Sequence, residues 1–130
     1  MSKFIALSAF LLIPLIVYFC SKQVFDRNLK NVSIAAISAV LMYLFIIGSA
    51  LYIEYKLDAE LTAFDLDNDG FFSGSEVTPD QEKAMQRVIY DTGRTFAPIT
   101  GAIFSIFYFF LLWLLFSAVS IFKKWQKNSK

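Results

Sequence analysis

Two stretches of this sequence leave little choice of fold. Residues 32–53 run for 22 positions without a charged side chain, and residues 96–122 for 27. A bilayer's hydrocarbon core, ~30 Å thick, is crossed by ~20 apolar residues of α-helix. Backbone polar groups inside lipid must be satisfied within the protein, so such runs fold as helices. A third run, residues 4–19, is apolar except for Ser8 and carries Pro14. It reaches spanning length only if residues 1–3 and 20–21 are taken in. The expected fold is an all-α membrane protein with transmembrane helices at 3–21, 32–54 and 96–122.

The first run also has features of a signal peptide, a lysine followed by an apolar stretch. No small-x-small cleavage site follows it, and Tyr18 and Phe19 are too bulky before Cys20 for lipoprotein-type processing. It is therefore expected to be a retained span. Pro14 removes one helix hydrogen bond and is expected to kink the span, which membrane helices tolerate.

Lysine and arginine counts set orientation. Lys22, Arg27 and Lys30 lie between the first two runs, and Lys123, Lys124, Lys127 and Lys130 follow the third. With three spans these seven share one side. Lys3, Lys56, Lys83, Arg87 and Arg94 share the other, the last four spread over a long segment. The denser side is expected to be cytoplasmic. The N-terminus and the second connection would then face out, into the periplasm if the membrane is a bacterial inner membrane. Trp125 beside Lys123 and Lys124 suits an interfacial anchor. Asn31-Val32-Ser33 matches a glycosylation pattern but lies at the cytoplasmic edge of a span, so the match is taken as chance.

Composition narrows function. Hydrophobic residues make up 57% of the chain and mean hydropathy is +0.55, so the lipid bilayer is the first partner expected. No basic face stands on a soluble domain, which disfavours nucleic acid. There is no histidine and one cysteine. The commonest general base is thus missing and an intrachain disulfide is impossible. No catalytic constellation emerges, and an enzyme is not expected. No charged residue lies within the three runs, which disfavours ion pumps and proton relays. Ala35, Ser38 and Ala39 suit close helix approach. The aromatic residues of the third run, Phe104 to Trp113, are expected to face lipid, with a partner helix as the alternative.

The segment 54–94 is the one long polar stretch. It holds ten acidic and four basic residues. Within it Asp65, Asp67 and Asp69 alternate, Gly70 follows, and Glu76 closes a twelve-residue window with Phe71 and Ser73 between. Alternate aspartates on a curling loop can point inward, glycine permits the positive φ that closes the curl, and glutamate, one methylene longer, reaches across. The window 65–76 resembles the EF-hand calcium loop. That resemblance implies Ca²⁺ bound by the side chains of Asp65, Asp67 and Asp69, the Phe71 carbonyl, Ser73 directly or through water, and both Glu76 oxygens. Magnesium is the weaker rival, and a capped acidic turn is the metal-free alternative.

The flanks fit a helix–loop–helix. Leu57, Leu61 and Phe64 recur at helical spacing, so the second span is expected to continue as helix to 64. Thr78-Pro79-Asp80 reads as a helix start, with an exit helix over 79–94 that carries Met85, Val88, Ile89 and Thr92 on one face. It should end near Gly93, with Pro98 opening the third span. EF-hands usually occur in pairs, and no second loop exists here. Phe71 and Phe72 then either pack internally or pair with a second copy or another membrane protein. The whole is expected to be a three-span protein displaying a single extra-cytoplasmic EF-hand between spans two and three. Its expected role is that of a calcium sensor or regulatory subunit. The alternatives are a structural or assembly subunit with calcium as a permanent clip and, further off, a pore-forming homo-oligomer.

Overall fold

A computed structural model describes residues 3–24 and 30–129. The chain is all-helical there: α1 (Lys3–Val24), α2 (Asn31–Thr62), a 3-10 turn (Gly74–Glu76), α3 (Pro79–Tyr90) and α4 (Thr92–Asn128). Three helices are long and apolar enough to cross a membrane. With 32 residues, α2 is about 48 Å long at ~1.5 Å per residue, well beyond a ~30 Å hydrocarbon core. Of the basic residues that enter the orientation argument, Arg27 and Lys130 lie outside the described residues.

Chain contacts define two units. The first comprises Met1–Phe45 and Thr100–Lys130. Its core is small. On α2, Ile34, Ala35, Ser38, Ala39 and Met42 are buried, at the i, i+3, i+4 spacing of one helix face. Side chains as short as alanine and serine let helix backbones approach closely. Ser38 returns its hydroxyl to the Ile34 carbonyl (2.8 Å) and so buries no unpaired donor. From α1, Pro14 and Val17 are buried, and from α4, Ser105, Tyr108 and Leu112. Much of the remaining surface of the long helices is apolar, with Leu7, Leu15, Val40, Phe107 and Leu114 exposed. That is the surface a helix presents to lipid, where apolar side chains need no covering.

One tie in this unit follows from a covalent fact. Proline has no N–H, so Pro14 cannot bond the carbonyl four residues back, which belongs to Phe10. The Tyr108 hydroxyl donates to that Phe10 carbonyl at 2.7 Å. The two rings lie beside each other with centroids 4.8 Å apart. A second tie joins the start of α2 to α4. The Asn31 amide donates to the Phe116 carbonyl (3.1 Å) and to Ser120 Oγ (2.8 Å). The asparagine of the glycosylation pattern thus has a packing role.

The second unit is Ile46–Ile99, which carries the end of α2, the acidic loop, α3 and the first turns of α4. Thr78 caps α3 by accepting from the Gln81 N–H at 3.2 Å, with Pro79 in the first turn. The larger apolar residues of α3 are not its buried ones. Gln81 and Ala84 are buried, while Met85 is 40% and Ile89 63% exposed. The small alanine allows close approach on its own face, and the larger apolar side chains turn outward. The helix break differs from the expected one. It falls at Asp91, and Gly93 and Pro98 both lie inside α4. Asp91 explains this, because its Oδ1 accepts the Arg94 N–H (3.3 Å) and caps the new helix.

Candidate metal centre

The acidic window hangs between two helix ends whose last and first turns set its width. α2 finishes in tightened turns, with the Phe64 N–H bonded to the Leu61 carbonyl and the Asp65 N–H to Thr62, both at 3.1 Å. From there the chain must reverse within a few residues. It does so through left-handed conformations at Asn68 (φ 59°) and Gly70 (φ 81°). Asparagine and glycine are the residues that visit this region at least strain. No atom within 4 Å would obstruct a Cβ at Gly70, so dihedral preference rather than space calls for glycine there.

The curl is held by its own carboxylates. Asp65 Oδ2 accepts the Gly70 N–H at 3.0 Å, Asp67 Oδ1 accepts the Asp69 N–H at 3.2 Å, and Asp69 Oδ1 accepts the Phe71 N–H at 2.7 Å. Glu76, in the 3-10 turn, closes the loop from the far end. Its Oε1 accepts the N–H groups of Leu66 (2.7 Å) and Asp67 (3.3 Å), and its Oε2 accepts that of Ser73 (3.2 Å). Only 5% of Glu76 is exposed.

Three of the six expected ligand residues converge. Asp65, Asp67 and Glu76 each place a carboxylate oxygen within 4.8 Å of the other two. Oxygens bound to one metal ion must lie this close together, so the three carboxylates could share one. Asp69 is not in this group, and its Oδ1 accepts the Phe71 N–H. Phe71 is 74% exposed, and Ser73 contributes its N–H to Glu76. Asp65 Oδ1 is buried and has no hydrogen-bond partner. A buried carboxylate oxygen left unpaired is expensive, and a cation beside it removes that penalty.

The electrostatics point the same way. At Asp67 the Asp69 N–H lowers the pKa, but desolvation and the carboxylates of Asp69, Glu76 and Asp65 together outweigh it and raise the pKa above 3.8. Negative charge is thus crowded on the loop, and no basic side chain forms an ion pair with it among the described residues. The ion pairs of this unit lie elsewhere, Arg87 with Glu60 and Lys83 with Asp80, both at 3.1 Å. The sequence reading missed the Arg87–Glu60 pair, which joins α3 to the end of α2. Its members are 27 residues apart, and no local spacing rule connects them.

The chain matches no protein-family model, no curated protein and no solved structure. What the loop itself offers is a set of hard, anionic carboxylate oxygens that could hold a metal ion.

Proposed function

We propose that this chain is an integral membrane protein that binds one Ca²⁺ through an EF-hand loop at 65–76, with Asp65, Asp67, Asp69, the Phe71 carbonyl, Ser73 and Glu76 as its ligands. The observation that carries the reading is the convergence of Asp65, Asp67 and Glu76, with a buried, unpartnered oxygen on Asp65 beside it in support. Asp69 joins the ion by rotating its carboxylate from the Phe71 N–H. The lysine and arginine distribution supports a loop outside the cytoplasm, in the periplasm of a bacterial inner membrane, with the C-terminus inside.

The role that fits best is that of a sensor or regulatory subunit. α2 is continuous from its apolar run to Thr62, beside the loop, and α3 begins just beyond it. An ion that fixes the angle between the end of α2 and α3 transmits its presence to a span, provided it binds two arrangements with different affinity. A second reading, calcium as a permanent clip, draws on Glu76. Its three backbone hydrogen bonds hold the closing side chain in place, so the ion has little left to rearrange.

Calorimetric calcium titration of the full chain in detergent tests the site. Saturable one-to-one binding is expected, weakened at least tenfold by Asp67→Asn, an exposed position whose substitution leaves Glu76 and its backbone bonds intact. No heat of binding up to several millimolar calcium would leave a capped acidic turn and sink the proposal. A Kd of about 10⁻⁴–10⁻³ M matches a site kept filled outside the cell, and a tighter one matches a sensor.

A further inference from the structure

Two basic segments far apart in sequence meet at one end of the first unit. The Asn31 amide donates to the Phe116 carbonyl at 3.1 Å and to Ser120 Oγ at 2.8 Å, so the start of α2 lies against α4 just before its lysines. Lys30 directly precedes Asn31 and is exposed. On α4, Lys123, Lys124 and Lys127 stand three, four and seven residues beyond Ser120, the spacing that keeps side chains on one helix face. That face is turned to the start of α2, and all three lysines are exposed. None of the four lysines forms an ion pair among the described residues. The sequence offers little to neutralise them. Of its eleven acidic residues, ten fall within 54–91 and the other is Asp26. Like charges gathered this way repel one another, and an external anion relieves the repulsion.

Apolar neighbours fix the kind of anion. Phe122 and Trp125 are 58% and 68% exposed, with ring centroids 6.5 Å apart, and they are interleaved with the lysines. Phe122 closes the charge-free run 96–122, and Lys30 stands just before the run 32–53. Where those runs are embedded, an exposed tryptophan rests at the boundary of hydrocarbon and headgroup. Lysine stems reach from there and place their ammonium groups at phosphate depth. A soluble anion would meet the lysines and leave the aromatic pair uncovered, whereas a lipid covers both with one molecule. From these observations we infer that Lys30, Lys123, Lys124 and Lys127 together gather phospholipids of net negative charge. The lipid phosphates accept from the ammonium groups, and the acyl chains lie along Phe122 and Trp125. A zwitterionic lipid brings its own cation and is favoured less. The site needs the two runs to be embedded, and neither the orientation of the chain nor the calcium loop enters it.

The sequence has two tryptophans, so Trp113→Phe leaves Trp125 as the sole fluorescent reporter at this end. The full chain carrying that change is reconstituted in phosphatidylcholine vesicles. Trp125 is then quenched with phosphatidylglycerol, phosphatidylserine or phosphatidylcholine brominated on the acyl chains. The attraction of one lysine for an anionic surface corresponds to about fivefold, so both anionic lipids should displace phosphatidylcholine from Trp125 with about that preference in low salt. In ~1 M salt, where the Debye length is ~3 Å, the preference should vanish. Lys123→Gln, Lys124→Gln and Lys127→Gln together, at exposed positions, should remove it with helicity by circular dichroism unchanged, whereas Lys123→Arg, Lys124→Arg and Lys127→Arg together should keep it. Lys30→Gln should lower it, because the start of α2 contributes to the same cluster. Equal quenching by anionic and zwitterionic lipid in low salt would overturn the inference and leave the lysines to an acidic protein partner. So would a preference for one anionic headgroup alone, a preference that survives the three glutamines, or a Lys30→Gln protein with unaltered preference.

Discussion

Consider the Tyr108 hydroxyl, removed by Tyr108→Phe. The ring remains, so its packing against Phe10 is kept, and the change isolates one hydrogen bond to the Phe10 carbonyl. That carbonyl has lost its helical donor to Pro14, and Tyr108 is only 3% exposed, so water does not replace the hydroxyl. Leaving a buried acceptor unmade costs about 1–3 kcal/mol in soluble proteins, whereas interhelical bonds in membranes average about 0.6 and reach about 1.7. A loss of about 1 kcal/mol follows. The discriminating step is to repeat the change in a Pro14→Ala background. Alanine restores an N–H that can bond Phe10, so the same hydroxyl should then contribute about 0.3 kcal/mol or less. Any volume lost at Pro14 is common to both arms and cancels in the double-mutant cycle. Unfolding in mixed micelles, followed by circular dichroism against denaturant fraction, supplies the four free energies. If Tyr108→Phe destabilises both backgrounds equally, the hydroxyl does not compensate the proline and the reasoning fails.

Three further outcomes are expected. Gly70→Ala puts a side chain on a φ of 81°, at about 1–2 kcal/mol, so calcium titration should show affinity reduced by about tenfold with one-to-one stoichiometry kept. The raised pKa of Asp67 makes its charge unfavourable in the folded, ion-free loop. The sign follows: this loss of stability is absent below the ordinary carboxylate value of 3.8, sets in as pH rises through the raised folded value, and persists above it. Thermal melts with calcium and with chelator should therefore show a smaller gap between the calcium-bound and calcium-free protein near pH 4 than near pH 7, and a gap independent of pH would contradict this. Arg87→Ala breaks an ion pair whose side chains are largely exposed, so the melting transition should move by less than about 1 kcal/mol equivalent.

The helical class and the three long apolar helices were legible because lipid imposes a length and a composition that charge-free runs reveal directly. The loop residues were legible as a spacing, and three of them meet in space. What escaped the sequence reading depended on partners far along the chain or on single caps. Tyr108 is 98 residues from the Phe10 carbonyl it serves, and Tyr108 looked like one more aromatic residue in a lipid-facing run. The exit helix was expected to stop at glycine, the usual terminator. Asp91, by accepting the Arg94 N–H, made a start at Thr92 more favourable than a continuation. On α3 the spacing of Met85 and Ile89 showed a shared apolar face, but which face is buried, that of Gln81 and Ala84, depends on the neighbouring helix and not on α3 alone.

That single break has a mechanical meaning. From Pro79 to Asn128 every residue but Asp91 is helical, and Asp91 has φ −80° and ψ 64°. Whatever force travels along the backbone from the loop toward α4 must pass through two torsion angles, steadied by the Asp91 carboxylate and by the Arg94 guanidinium, which donates to the Val88 carbonyl across the break. Asp91 is thus a universal joint in the chain. Its stiffness sets how much of a movement at the loop arrives at α4 as rotation and how much is lost as bending.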